Sequence, residues 1–384
     1  MKKALLMMLA LAMVLSLVAC GAPQQSPTTS ESAAPAESSA VVSESPSAEE
    51  SAAAKPYIAV ISKGFQHKFW QTVLAGAQDA ADKYGVDMTF DGPPSESDIS
   101  VQVDMVNAAL AKNPAALCLA ALDTESLNEQ LNTCIEKSIP VVGFDSGVPN
   151  APEGSIISTA STDNEAAGAI AAESMYEKVK DAVAGASTSK PVVISVISQD
   201  ATSASITGRT TGFVNKMFEL CDAAQSGLVA VTGHDKWMKD STSGDVAVEI
   251  LVSIAASTSV TDCQTAAQAV LSKSPVGVFC TNSGSVDGML AATTDGSDLD
   301  RTSGKYKDVI AVGFDSGATL LNAIKNGWFD GAVTQDPYMI GYYAIELAVK
   351  SLNGETVEPL VDTGCKYYTA ANMEDEDIAK LLYE

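Results

Sequence analysis

Polar side chains of the kinds that bind hydroxyl groups recur in this sequence at one kind of place, just past a short apolar run. Lys63 and His67 with Phe69 and Trp70 follow Tyr57-Ile58-Ala59-Val60-Ile61, Asp123 follows the run 116–120, and Asp145 and Ser146 follow 140–144. Further along, Thr207-Gly208-Arg209, Asn282, Asp315 and Gln335-Asp336-Pro337 hold equivalent places. Carboxylates, amides and a guanidinium are planar groups that engage neighbouring hydroxyls in pairs, and a charged partner strengthens each bond. The rings of Phe65, Phe69 and Trp70 suit the C–H face of a pyranose or furanose. The inventory fits capture of a small polyhydroxylated ligand. Each residue also has a plainer role open to it: Asp145 and Asp315 as helix caps, Trp70 as core, Lys63 and Asp123 as solvated surface charge.

These residues need a scaffold that brings chain segments far apart in sequence to one place. After Pro56, β-branched apolar runs alternate with helical patterns. Strands are predicted at 57–61, 86–90, 116–120, 140–144 and 156–159, with helices at 69–84, 100–112 and 124–137. A second series begins at Pro191, with strands at 192–197, 228–231, 248–254, 276–280 and 310–314 and helices at 210–220, 262–272, 285–293 and 319–326. Fully apolar strands alternating with helices predict an α/β protein with two doubly wound parallel sheets. Gly-Phe-Asp-Ser-Gly occurs at 143–147 and again at 313–317, once in each series, marking equivalent strands of two similarly built lobes. In such sheets ligands sit beyond the carboxyl ends of the strands, where the polar residues above fall.

The ends and the composition bound what such a protein does. Lys2 and Lys3 precede an apolar run from Leu5 to Val18, too short for a comfortable membrane span, which predicts a signal peptide over 1–19. The run stops at Leu17-Val18-Ala19-Cys20-Gly21, which resembles the bacterial lipoprotein box and makes Cys20 the predicted lipidation site. Residues 20–55 are then a Ser/Ala/Pro/Glu-rich tether that cannot bury enough apolar surface to order itself. The formal net charge of −25 argues against nucleic acid as a partner. The seven cysteines show no zinc or redox spacing, so no metal or cofactor is expected; a disulfide through Cys221 or Cys365 stays open.

Lys63-Gly64 with His67-Lys68-Phe69-Trp70, Ile139-Pro140-Val141-Val142 with Asp145-Ser146, Thr162-Asp163-Asn164, Asn282, Val312-Gly313-Phe314-Asp315 and Thr334-Gln335-Asp336-Pro337-Tyr338 together resemble the sugar-binding branch of the type I periplasmic-binding-protein superfamily. That resemblance implies two lobes joined by a three-segment hinge, 57–161 plus 336–362 and 162–335 plus 363–384, closing on the ligand. It implies sugar contacts from Phe69, Trp70, Asp145, Arg209, Asn282, Asp315 and Gln335. Ser146 stands where ribose binders carry Arg, His67-Lys68 replaces their Asn-Pro, and the run His234-Asp235-Lys236-Trp237 is inserted.

The expected function is capture of a monosaccharide-sized ligand by a monomeric lipoprotein at the outer face of the cell membrane, with delivery to an ABC permease. A receptor for a furanosyl signal or a chemotaxis ligand shares the fold and would lean more on Lys63 and Asp123. A glycoside hydrolase would need two carboxylates across a cleft, but Asp145 and Asp315 already serve as hydroxyl acceptors. No Gly-x-Ser-x-Gly elbow, zinc-type His pair or phosphate loop is present either. A DNA-binding sugar repressor would place a basic helix-turn-helix where the acidic tether lies.

Overall fold

The computed structural model describes residues 54–65 and 67–384. The signal, Cys20 and all but the last two residues of the tether lie outside them. The chain opens with β1 (Tyr57–Ile61), α1 (Lys68–Tyr84), β2 (Asp87–Asp91), α2 (Ile99–Ala111), β3 (Ala116–Leu119), α3 (Asn128–Glu136), β4 (Val141–Phe144) and β5 (Ile156–Ser161). It continues through α4 (Asn164–Ala184), β6 (Val192–Ser198), α5 (Ala204–Ala224), β7 (Val229–Thr232), β8 (Val248–Ile254), α6 (Val260–Leu271), β9 (Gly277–Cys280), α7 (Ser283–Ala292), β10 (Ile310–Phe314), α8 (Ala318–Lys325) and β11 (Gly331–Gln335). It ends with α9 (Pro337–Leu352), β12 (Leu360–Asp362), β13 (Cys365–Tyr368) and α10 (Glu376–Ala379).

Two sheets result, in the orders β12-β5-β4-β3-β1-β2 and β13-β11-β10-β9-β6-β8-β7. Every pairing is parallel except β13 with β11. Both faces of each sheet are covered, as the apolar strands require. In β1, Ile58 and Val60 pack into the cluster under α1 and α9, while Ala59 and Ile61 pack into the cluster under α2 and α3. That is the period-two alternation of a strand buried on both sides. In the second sheet Val312 and Phe314 face α4 and α5, and Ala311 faces α7 and α8.

The chain crosses between the sheets after β5, after β11 and between β12 and β13. The first and the last of these crossings are tied to each other. Thr363 donates its amide to the Ser161 carbonyl at 3.0 Å, the Asp163 amide donates to Asp362 Oδ1 at 3.1 Å, and the Thr162 hydroxyl donates to the Gly364 carbonyl at 3.3 Å. A hinge so laced can bend as one unit.

Two long helices, α4 and α9, carry no expectation from the sequence. The buried stripe of α4 opens on Ala167, Gly168, Ala171 and Ala172, small residues of little hydrophobic contrast, before Met175, Val179 and Val183, and α9 begins on Pro337 at its first turn. Helix α5 begins at Ala204 rather than Thr210, which moves Arg209 from a loop onto a helix. Cys221 and Cys365 are free thiols, not a disulfide. Burial pushes the Cys221 thiol up to about 12 and the Cys365 thiol up to about 11.

Candidate functional site

The strand ends of the two sheets converge on one cavity of about 300 Å³. From the first lobe come Lys63 and His67, the Phe69 and Trp70 rings at the start of α1, Glu96 and Asp145. The second lobe contributes Ile206 and Arg209 of α5, Asn282 and Ser283 at the start of α7, Asp315 past β10 and Gln335 at the end of β11.

The two Gly-Phe-Asp-Ser-Gly repeats build turns that share a left-handed Asp. Asp145 (φ 55°) and Asp315 (φ 74°) are both left-handed, a conformation that Asp tolerates better than most residues, and Gly147 and Gly317 close each turn with positive φ. Neither Asp is the N-cap of the element after it; helix α8 is entered through Gly317. Instead each carboxylate is turned into the cleft. Asp315 Oδ1 accepts from Gln335 Nε2 at 2.7 Å, and its Oδ2 accepts from the Ser283 amide and hydroxyl at 3.1 and 3.2 Å. The strained peptide is held from the C-terminal segment: the Tyr368 hydroxyl donates to the Asp315 carbonyl at 2.9 Å, and Tyr383 exchanges bonds with Ser316.

Arg209 is buried. Its Nε donates to Asn164 Oδ1 at 2.9 Å and its Nη1 to the Thr281 carbonyl at 3.0 Å, with Asp315 Oδ1 4.0 Å away. The guanidinium lies over the Phe314 ring at 3.8 Å, a cation–π contact that fixes its plane. Asn282 spends its side-chain oxygen on the capping box of α7 and its amide nitrogen on Gln199 Oε1 at 2.6 Å.

Direct bonds join the lobes across the cleft. Lys63 Nζ sits 2.9 Å from Asp145 Oδ2 in its own lobe and donates to Ser205 Oγ of the other at 2.9 Å. Glu96 accepts from Trp70 Nε1 at 2.7 Å within its lobe and from Gln199 Nε2 of the other at 3.0 Å. Thr202 reaches the Leu122 carbonyl at 3.1 Å. The buried charges hold one another ionised. Burial works against the Lys63 ammonium, but Asp145, Glu96 and Asp200 outweigh it and raise Lys63 above its ordinary value. Burial likewise works to raise Glu96, yet Lys63, His67, Trp70 and Gln199 bring it below the usual carboxylate range.

A pH dependence follows from that sign. A depressed carboxyl adds stability that is fully present above its unfolded value, 4.5 for Glu96, and is lost as pH falls through the folded one. The thermal midpoint of the wild type should therefore climb with pH, on the acid side of the unfolded value, more steeply than that of Glu96→Gln. Scanning calorimetry giving parallel curves for the two proteins would disprove the assignment.

The structure brings Lys63, His67, Phe69, Trp70, Asp145, Arg209, Asn282, Asp315 and Gln335 to the cavity. Trp70 does so while packed in the core, edge-on to Phe69 at 4.9 Å, so a core position and a place on the cavity wall are compatible. Three residues fall elsewhere. Asp123 accepts the amides of Glu125 and Ser126 in its own turn, because the chain runs on past β3 before it can face the cleft. Ser146 is buried behind Asp145 and donates to the Ala121 carbonyl at 3.0 Å. Phe65 is 40% exposed and packs on Phe90 instead of lining the cavity. Sequence reasoning missed Glu96, Gln199, Ile206 and Ser283. Gln199 directly follows β6 and Ser283 follows Asn282, so the strand-end rule reaches both; Glu96 sits in a loop ahead of α2 with no signal in its neighbours.

Two parallel-sheet lobes, three crossings and a polar crevice ringed by carboxylates, amides, a guanidinium and aromatic rings define a binding protein for a small polar solute. The comparisons agree. Residues 58–356 match the model of the periplasmic binding protein domain, and the chain belongs to that family, with the type I fold whose sugar-binding branch the sequence resembles. The chain is 25% identical to the ribose import binding protein of Haemophilus influenzae over 315 residues, 82% of this chain and 91% of that protein. Among solved structures, it resembles an "ABC transporter, LacI family transcriptional regulator" from Brachyspira murdochii at 38% identity and TM-score 0.71, covering 86% of this chain and 99% of that one. It also resembles a solute-binding protein of an ABC transporter from Agrobacterium vitis with bound D-fucose, at 27% identity and TM-score 0.70, covering 85% and 100%.

Proposed function

We propose that this chain captures a sugar between its lobes and delivers it to an ABC importer, acting as a monomer without catalysis. The observation that carries the reading is the convergence of Lys63, Glu96 and Asp145 from one lobe with Arg209, Asn282, Asp315 and Gln335 from the other around a single cavity walled by Phe69 and Trp70. Ribose and D-fucose, named for two of the similar proteins, supply the ligand class. In this reading Arg209, Asp315 and Gln335 bond adjacent hydroxyls, Asp145 and Lys63 serve those on the opposite edge, and the Trp70 and Phe69 rings cover the C–H face. Ser146 in place of Arg and His67-Lys68 in place of Asn-Pro, with His67 on the cavity wall, argue for a sugar other than ribose.

A thermal-shift screen against pentoses and hexoses tests the reading, since a ligand that binds only the folded state raises the midpoint. No shift with any sugar at millimolar concentration would reject it.

The lobes sit outside the cell on a lipid-modified Cys20 in this proposal. No helix among the described residues is long and apolar enough to cross a membrane. Cys20→Ser should move the protein from the membrane fraction to the medium or the soluble extract, because multiple acyl chains give durable attachment where one is marginal. Retention of the variant in washed membranes would count against lipidation.

A further inference from the structure

We propose that the sugar site continues into a second compartment and that the solute is an O-glycosidically linked sugar, a disaccharide in the simplest case, rather than a free monosaccharide; this rests on the sugar reading above. The first cavity, at about 300 Å³, is at the small end of ligand pockets. Beside it is a second cavity of about 650 Å³, and the two share His67 from the first lobe and Ser283 from the second as common walls.

The elements that build the first site also build the second. Ser283 and Asp287 stand one turn apart on α7, so they share one face of the helix, and that face runs from the Asp315 carboxylate outward into the second cavity. The turn that presents Asp315 continues into Ala318 and Thr319 on the far wall. Lys68, the residue after the shared His67, closes the first-lobe side, and the C-terminal Glu384 closes another.

The chemistry there is that of a second sugar ring. Thr319 and Lys68 donate, Asp287 and Glu384 accept, and the mixture of both kinds matches hydroxyls that do both. Two carboxylates beside a single lysine would repel the phosphate of a sugar phosphate. An alkyl aglycone would leave these polar groups without partners. Asp287 is held by the Thr319 hydroxyl only at 3.4 Å, a long bond that a ligand hydroxyl can replace.

The experiment is titration calorimetry on the whole folded protein with matched probes: free xylose, glucose and galactose, their 1-O-methyl glycosides, and xylobiose, cellobiose, maltose and lactose. At least one disaccharide should bind about tenfold or more tighter than its free monosaccharide, the gain of one or two charge-assisted hydrogen bonds. Ala318→Trp, at an exposed position on the wall of the second cavity only, should cancel that gain and leave any monosaccharide affinity within about twofold. If monosaccharides bind and every disaccharide binds more weakly, or if Ala318→Trp leaves the disaccharide advantage intact, the second compartment is not part of the site, while the sugar reading stands. If no sugar of either size binds, the sugar reading fails and the inference falls with it.

Discussion

Replacing Arg209 with alanine should weaken sugar binding by about a hundredfold or more and lower the stability of the empty protein by about 3 kcal/mol, the cost of breaking a buried charged network from one side. Arg209 is 2% exposed, and it ties three separate segments together: Asn164 at the start of α4, the Thr281 carbonyl at the end of β9, and Asp315 beyond β10. Without it Asn164 and Thr281 lose a buried donor, and Asp315 keeps only neutral partners, Gln335 and Ser283. In the proposed function the second terminal nitrogen of the guanidinium donates to a ligand hydroxyl. Arg209→Lys should recover little of the loss, because an ammonium can neither fork between the Asn164 and Thr281 oxygens nor lie flat on Phe314. Calorimetric titration and urea melts on both variants decide the matter. Wild-type affinity in Arg209→Ala would take the guanidinium out of the binding site whatever its effect on stability.

How much of this was legible beforehand depended on whether a feature leaves a local trace. The strands of both sheets are β-branched apolar runs ended by polar residues, so β6, β8 and β10 could be placed almost to the residue. The repeated Gly-Phe-Asp-Ser-Gly gave the equivalence of β4 and β10 and, with it, two of the cleft carboxylates. Glu96 left no such trace. Its place in the cavity comes from the long-range meeting of its loop with Trp70 and Gln199, and nothing in Ser95-Glu96-Ser97 announces it. Asp123 errs the other way: it satisfies the strand-end pattern, but its carboxylate is spent on the two amides of its own turn. Position after a strand selects candidates; only the direction of the following turn decides which of them reach the cleft.

Helix α4 shows the same limit in packing, and it carries the second large effect. A stripe of glycine and alanine reads as featureless in a hydrophobic pattern, yet it is what lets α4 and α5 approach until backbone touches backbone. A Cβ placed on Gly168 would lie 2.1 Å from the Arg209 carbonyl oxygen, and one placed on Gly212 would lie 1.9 Å from that of Glu165. The two glycines are reciprocal, each the slot for the other helix, and because the obstructing atoms are main chain no rotamer change relieves the clash. Gly212→Ala or Gly168→Ala should therefore cost about 3 kcal/mol, the upper part of the range for overpacking. Either should also push out the turn of α5 that bears Arg209, weakening sugar binding by about tenfold or more, since small misplacements of a positioned group are costly. Gly185→Ala, at the end of the same helix with negative φ and its nearest contact at 3.4 Å, controls for a general effect of removing glycine and should stay within about 1 kcal/mol of wild type. Melts in which Gly168→Ala and Gly185→Ala behave alike would mean that the helices are not in backbone contact and that Arg209 is aimed by its hydrogen bonds alone.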